Sequence, residues 1–161
     1  MESIEIKQIT TDDLHLVITL FNQYRIFYNQ QPDLEGAQRF LEGRIKKGES
    51  IIFAAHIGKT GQRMPAGFTQ LYPIFSSVRM TKNWILNDLF VDEHYRNQGI
   101  GKKLIEAACE FAVSSGAGFM QLETANTNES AQRLYERLGF KKQAPDEGFL
   151  TYRFALTKTP V

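Results

Sequence analysis

The sequence predicts an α/β protein with a mixed sheet. Three observations carry this. Segments with helical spacing fill the first third, runs rich in β-branched and aromatic residues occupy the middle, and a strand–helix–strand unit follows. The 161 residues suit one domain spanning 1–161. A domain of that size buries about two-thirds of its unfolded surface.

"SIEIKQI" alternates apolar and polar residues and reads as the first strand. "TTDDLHLVITLFNQYRIFYN" opens on a capping run at Thr10 to Asp12, then places Leu14, Val17, Ile18, Phe21, Tyr24 or Arg25, and Tyr28 at helical spacing. Pro32 breaks that pattern. A second helix runs through Leu34, Phe40, Leu41 and Ile45 and is closed by Lys46, Lys47 and Gly48. "SIIFAAHIG" and "PAGFTQLYPIF" read as two strands joined by the polar loop "GKTGQRM". After the loop "SSVRMTK", "NWILNDLFV" is apolar enough to be a central strand covered on both faces. "QGIGKKLIEAACEFAVSSG" is a helix ending at Gly116, and "AGFMQLETA" is a strand. "NESAQRLYERLG" is a helix with Asn128 as N-cap and Gly139 just past its end. "FKKQAP" and "GFLTYRFAL" read as the last strands.

Composition excludes several function classes. Apolar residues make up 42% and charged residues 23%, with a formal charge of +1, so no basic field calls for nucleic acid. Cys109 is the only cysteine, which rules out an internal disulfide and fits a reducing compartment. In its apolar helix it reads as a small buried hydrophobe. No run approaches the roughly 20 apolar residues of a membrane span. "MESIEIKQIT" has neither the basic nor the apolar region of a signal peptide, so the expected location is cytoplasmic. His15, His56 and His94 show no metal-ligand spacing with Cys109, and no metal is expected.

The chemistry is concentrated in "VDEHYRNQGIGKKLIEAA". Gly99 and Gly101 sit between a strand and a helix, where backbone amides at a helix start cradle phosphate. Arg96, Lys102 and Lys103 oppose the helix dipole unless an anion sits there. The stretch is not a P-loop, which would need glycine at 96 and Ser or Thr at 103, where Arg96 and Lys103 stand. Leu104 is too bulky for the dinucleotide fingerprint.

Two spaced motifs extend this turn. Arg96, Gly99 and Gly101 match the signature Arg/Gln-x-x-Gly-x-Gly/Ala of the GCN5-related N-acetyltransferases. Asn128, Ala131, Tyr135, Gly139 and Phe140 match that family's second block. From 84 to 142 the chain resembles this family; before that it agrees only in the order of elements. The resemblance implies the acyl-CoA N-acyltransferase fold, with a mixed, mainly antiparallel sheet flanked by helices. It also implies acetyl-CoA as cosubstrate. By resemblance the pyrophosphate would lie on Arg96, Asn97, Gln98, Gly99, Ile100, Gly101, Lys102 and Lys103. Pantetheine would pair with Leu89, Phe90 and Val91 like an added strand.

Asn128 is first a helix N-cap, worth about 1 kcal/mol, and the family also uses that position to hold the cofactor. Tyr135 has the spacing of a core aromatic with Ala131 and Leu138. The resemblance makes it the general acid for the departing thiolate. In a similar polyamine-acetylating branch the central strand reads Glu-Asp where this chain has Asn87-Asp88. Asp88 is then the remaining carboxylate, either catalytic or a satisfied structural acid, and Asn87 a ligand for water or substrate.

Aromatics in the first half, Tyr24, Phe27, Tyr28 and Tyr72, would line an amine site through cation–π contacts or simply pack in the core. "YRIFY", "FTQLYPIFSS" and "WILNDLFV" are also similar to a subgroup that includes a yeast histone and polyamine acetyltransferase. The expected reaction is direct transfer of acetyl to a primary amine on a small molecule, polyamine, amino acid or protein lysine. A CoA-binding regulatory or scaffold protein without transfer is the alternative. Family members often pair into homodimers, which is a further expectation. Nucleic acid and membrane partners are not expected.

Overall fold

The computed structural model describes residues 3–59, 61–145 and 148–156, which divide after Ala125 into two compact units. In the first unit, β1 (Ser3–Gln8), β2 (Ile51–Lys59), β3 (Gln62–Ser76), β4 (Thr81–Val91) and β5 (Met120–Gln121) form one sheet in sequence order. The first four strands are antiparallel and β5 joins β4 in parallel. The expected mixed, mainly antiparallel sheet flanked by helices is therefore present.

Side-chain alternation splits the core across the sheet. Ile52, Ala54 and Phe68 point to one face, under α1 (Ile18–Phe27) and α2 (Leu34–Lys46). Phe53, Ala55, Ile57 and Ala66 point to the other, under α3 (Ile100–Ser114). Each helix buries one stripe: Leu20 and Phe21 from α1, Ala37 and Leu41 from α2, and Ile100, Leu104, Ile105 and Ala108 from α3. The helix expected from Thr10 onward starts as a 3-10 turn, Thr11–Leu16, with α1 following it. The Thr10 hydroxyl and amide both donate to Asp13 Oδ2, at 2.8 and 3.2 Å, and fix that start. The Asp33 side chain caps α2 by accepting from the Gly36 amide at 2.8 Å.

Gly67 sets how closely α3 approaches the sheet. A Cβ there would lie 2.7 Å from the Phe90 carbonyl oxygen and 3.3 Å from both Ile100 and Leu104. At the far end of the sheet, buried Asn83 accepts from the Gly118 and Phe119 amides at 2.8 and 3.1 Å, holding the start of β5 against β4.

In the second unit α4 (Glu129–Arg137) is capped by Asn128, whose side chain accepts from the Ala131 amide at 3.3 Å. Gly139 follows with φ 95°, as expected of a residue just past a helix end. Two expectations are corrected. The strand read over 117–125 is only the two-residue β5. The last strands read at 140–145 and 148–156 are absent among the described residues, and Phe149, Leu150, Tyr152, Phe154 and Leu156 are exposed. Alternation supplies a strand's side-chain pattern but not the neighbouring ladder that holds its backbone.

His56 is buried on β2, its Nε2 without a hydrogen-bond partner among the described residues. Burial, then the Lys7 charge, pushes its imidazole below the ordinary value. The neutral form is thus the folded form. The unfolded chain takes up a proton first as pH falls, so stability should drop below about pH 6.5. His94, raised by its hydrogen bond to Asp92, acts in the opposite sense, but that pair is solvent-screened. Thermal midpoints recorded from pH 7.5 to 5.5 should fall more steeply in the wild type than in His56→Leu. Parallel curves would remove His56 as the cause.

Candidate active site

A slip in the β3–β4 pairing builds the site. Gln70 lies opposite Asp88 and Leu71 opposite Leu86, which leaves Asn87 as an extra residue in β4. Trp84 faces α3, with its ring 5.2 Å from that of Phe111. Strict alternation would send Asp88 to the same side. The one-residue bulge turns it to the α1–α2 face instead, together with Phe90.

There Asp88 is 4% exposed, on a cavity of about 380 Å³. Phe21, Tyr24 and Arg25 of α1 line one wall. Asp33, Gly36, Ala37 and Phe40, at the start of α2, line another, with Tyr72 contributed by β3. The Phe21 and Phe40 rings stack at 6.0 Å, and Tyr24 meets Phe68 and Phe90 edge-on.

Asp88 is held by neutral donors. Its Oδ2 accepts from Gln70 Nε2 at 2.6 Å and its Oδ1 from Asn87 Nδ2 at 3.0 Å. The Tyr24 hydroxyl also hydrogen-bonds it. Fully buried Gln70 is oriented in turn by Ser50, whose hydroxyl donates to Gln70 Oε1 at 2.7 Å. Burial and the Asp88 charge push the Tyr24 phenol far above its ordinary value; the same two causes push Tyr72 up to about 12. Both hydroxyls stay protonated and serve as donors. Among the described residues no cation pairs with Asp88. A buried carboxylate without a counter-ion is costly, and an ammonium ligand would supply one.

The other half of the site lies along the same strand. The β4–β5 ladder ends at Ile85 and Gln121, so among the described residues Leu86 and Asp88 to Val91 pair with β3 only, leaving an open backbone edge that includes Leu89, Phe90 and Val91. The turn beyond is tied back by Arg96, whose Nε donates to the Val91 carbonyl at 3.0 Å. Asn97 and Gly99 both adopt positive φ, 61° and 81°, and exposed Gln98 lies between them. The chain then enters α3 with no side-chain cap and no acid in the first turn. The first helical bond runs from the Lys103 amide to the Gly99 carbonyl, which leaves the amides of Ile100, Gly101 and Lys102 available to an anion. Lys102 is drawn toward Glu106 at 3.7 Å.

The structure thus brings Tyr24, Tyr72 and Asp88 together around one cavity, with Asn87 beside it as the bulge. Phe27 and Tyr28 lie outside the lining; Phe27 is 65% exposed and Tyr28 packs edge-on against Tyr24. Sequence reasoning missed Gln70 and Ser50, although Gln70 interrupts the apolar run "AGFTQLY". It also missed Arg25 and Asp33 as cavity residues. Tyr135 and Asn128 belong to the second unit, where the half-buried Tyr135 ring lies 6.0 Å from that of Phe140. Burial and the neighbouring Glu106 and Glu110 raise the Cys109 thiol, which makes it a poor nucleophile.

The model of the Acetyltransferase (GNAT) family matches residues 16–140. An uncharacterised N-acetyltransferase, YhfO of Bacillus subtilis, is 45% identical over 91% of this chain and 94% of its own. A crystal structure of a probable acetyltransferase shares 35% identity with a TM-score of 0.83, covering 96% of this chain and 99% of that one. The AAC(6')-Iy structure, in complex with a CoA-linked bisubstrate analogue, has the same fold at 21% identity and a TM-score of 0.74, over 95% of this chain and 99% of its own.

Proposed function

The chain belongs to the GNAT family of acetyltransferases, and from that premise we propose that it transfers acetyl from acetyl-CoA directly to the primary amine of a small molecule. The single observation that carries this reading is Asp88, a buried carboxylate without a counter-ion among the described residues, on a cavity walled by aromatics and on the strand whose edge lies open. Ammonium groups are attracted both to the carboxylate and to the aromatic faces. The pantetheine amides pair with the open edge at Leu89 to Val91, and the pyrophosphate takes the free amides at the start of α3, with Arg96, Lys102 and Lys103 adding charge.

In the transfer step the amine nitrogen attacks the thioester carbonyl and the C–S bond breaks. Asp88 receives the amine's proton, and Tyr135 protonates the thiolate before regaining a proton from solvent. Positioning of the two substrates supplies much of the rate.

The test is incubation with acetyl-CoA and a pool of polyamines, amino acids, aminoglycosides and a lysine-rich peptide, with products read by mass spectrometry. The pool includes the polyamine and histone-type acceptors of the yeast subgroup. Asp88→Asn should raise the KM for the accepted amine about 100-fold, at the low end of the cost of losing a buried charge partner. Acetyl-CoA affinity should be retained. An unaltered amine KM would remove Asp88 from the site. Acetyl-CoA binding without any acetylated product would favour the regulatory alternative.

A further inference from the structure

The acceptor cavity is lined by two carboxylates and one guanidinium. Asp88 is buried, Arg25 is half-buried and Asp33 is exposed, and all three line that cavity. Among the described residues none of the three forms an ion pair. Arg25 spends one N–H on the Gln31 carbonyl, at 3.1 Å, and keeps its remaining donors. Asp33 accepts from the Gly36 amide, and its Oδ2 lies 2.1 Å from where a Cβ on residue 36 would sit, so a side chain at 36 would displace it.

We propose that the acceptor is a free diamino acid: its side-chain ammonium binds beside Asp88, its α-carboxylate meets Arg25, and its α-ammonium meets Asp33. The inference rests on the cavity being the amine site. Its ground is the charge complement: a ligand with two ammonium groups and one carboxylate matches a lining with two carboxylates and one guanidinium. An unpaired, half-buried guanidinium is a receptor for a carboxylate, which it can hold through two parallel bonds. A polyamine would bring a second cation against Arg25, a built-in repulsion. A lysine within a peptide has lost both α charges and would leave Arg25 and Asp33 unused. The cavity's 380 Å³ lies at the small end of ligand pockets, roughly 300–1,000 Å³, and so fits one small molecule.

The test compares acceptors that differ by one charge. Lysine and ornithine are assayed against cadaverine and putrescine, the same diamines without the carboxylate, and against 6-aminohexanoate, which is lysine without the α-amine. The preferred diamino acid should exceed its diamine in kcat/KM by at least about 20-fold, because a site built to pair a group rejects the analogue lacking it. 6-Aminohexanoate should fall about five-fold below lysine, a smaller effect because Asp33 is exposed and screened. Arg25→Gln should bring the ratio of diamino acid to diamine close to one. Asp33→Asn keeps the α2 cap and should erase the gap between lysine and 6-aminohexanoate. Diamines acetylated as well as the amino acids, or a ratio that survives Arg25→Gln, would overturn the inference while leaving amine acetylation in place. Transfer to no amine at all would overturn both.

Discussion

Gly101→Glu is expected to abolish saturable binding of coenzyme A while leaving the protein as stable as the wild type, or more so. Gly101 is in the first turn of α3, between the Gly99 that opens the helix and the first i to i−4 bond at Lys103. Replacing a helical glycine relieves roughly 0.5–1 kcal/mol of backbone entropy cost. A carboxylate in the first turn also favours the helix dipole, by about 0.3–1 kcal/mol, where this helix carries no acid of its own. The same carboxylate would occupy the place proposed for the pyrophosphate and repel it. Calorimetric titration with coenzyme A, run beside a thermal melt, tests both halves. Unchanged affinity would remove the α3 start from the cofactor site. A large loss of stability would mean that the fold rather than the ligand was disturbed.

The elements built on local chemistry could be read directly from the sequence. The cap at Asn128, the helix-ending glycines Gly116 and Gly139, and the apolar stripe of α3 all depend on neighbours a few residues away. The sheet ends could not be read in this way. The residues from Phe149 to Leu156 have a strand's composition, yet backbone pairing decides whether a strand exists, and pairing is a long-range property. β5 is the same case in miniature: "AGFMQLETA" has the pattern of a strand, and among the described residues only Met120 and Gln121 join the ladder with β4.

The candidate site divides along the same line. The turn from Arg96 to Lys103 is contiguous, so its anion-binding character is visible residue by residue. The acceptor cavity is assembled from α1, α2, β3 and β4, and no spacing rule connects Arg25, Asp33, Tyr72 and Asp88. The bulge at Asn87 hides the rest. By alternation from Trp84, Asp88 belongs on the α3 face, and only the slipped register of β3 against β4 turns it into the cavity. Gln70 carried a faint signal as an amide within an apolar strand. Its meaning depends on Ser50 and Asp88, 20 and 18 residues away.

Tyr135→Phe should lower kcat by about 100- to 1,000-fold while the affinity for acetyl-CoA stays within about two-fold. The substitution removes one hydroxyl and keeps the ring that packs near Phe140. In the role proposed for Tyr135, the loss is that of the proton for the thiolate, and a positioned general acid contributes roughly 10²–10⁴-fold. An ordinary thiol, near 8.5, is more acidic than an ordinary phenol at about 10, so a phenol proposed as the acid for a thiolate would act through its placement. Two readouts separate this from a structural role. The wild-type rate should decline at alkaline pH, where a phenol loses its proton, and the variant should lack that decline. An acyl donor whose leaving thiol is more acidic needs less protonation, so it should recover much of the variant's lost rate. A variant with the wild-type rate would remove Tyr135 from the mechanism. A rate loss that neither the pH profile nor the better leaving group modifies would reduce it to a packing residue of the second unit.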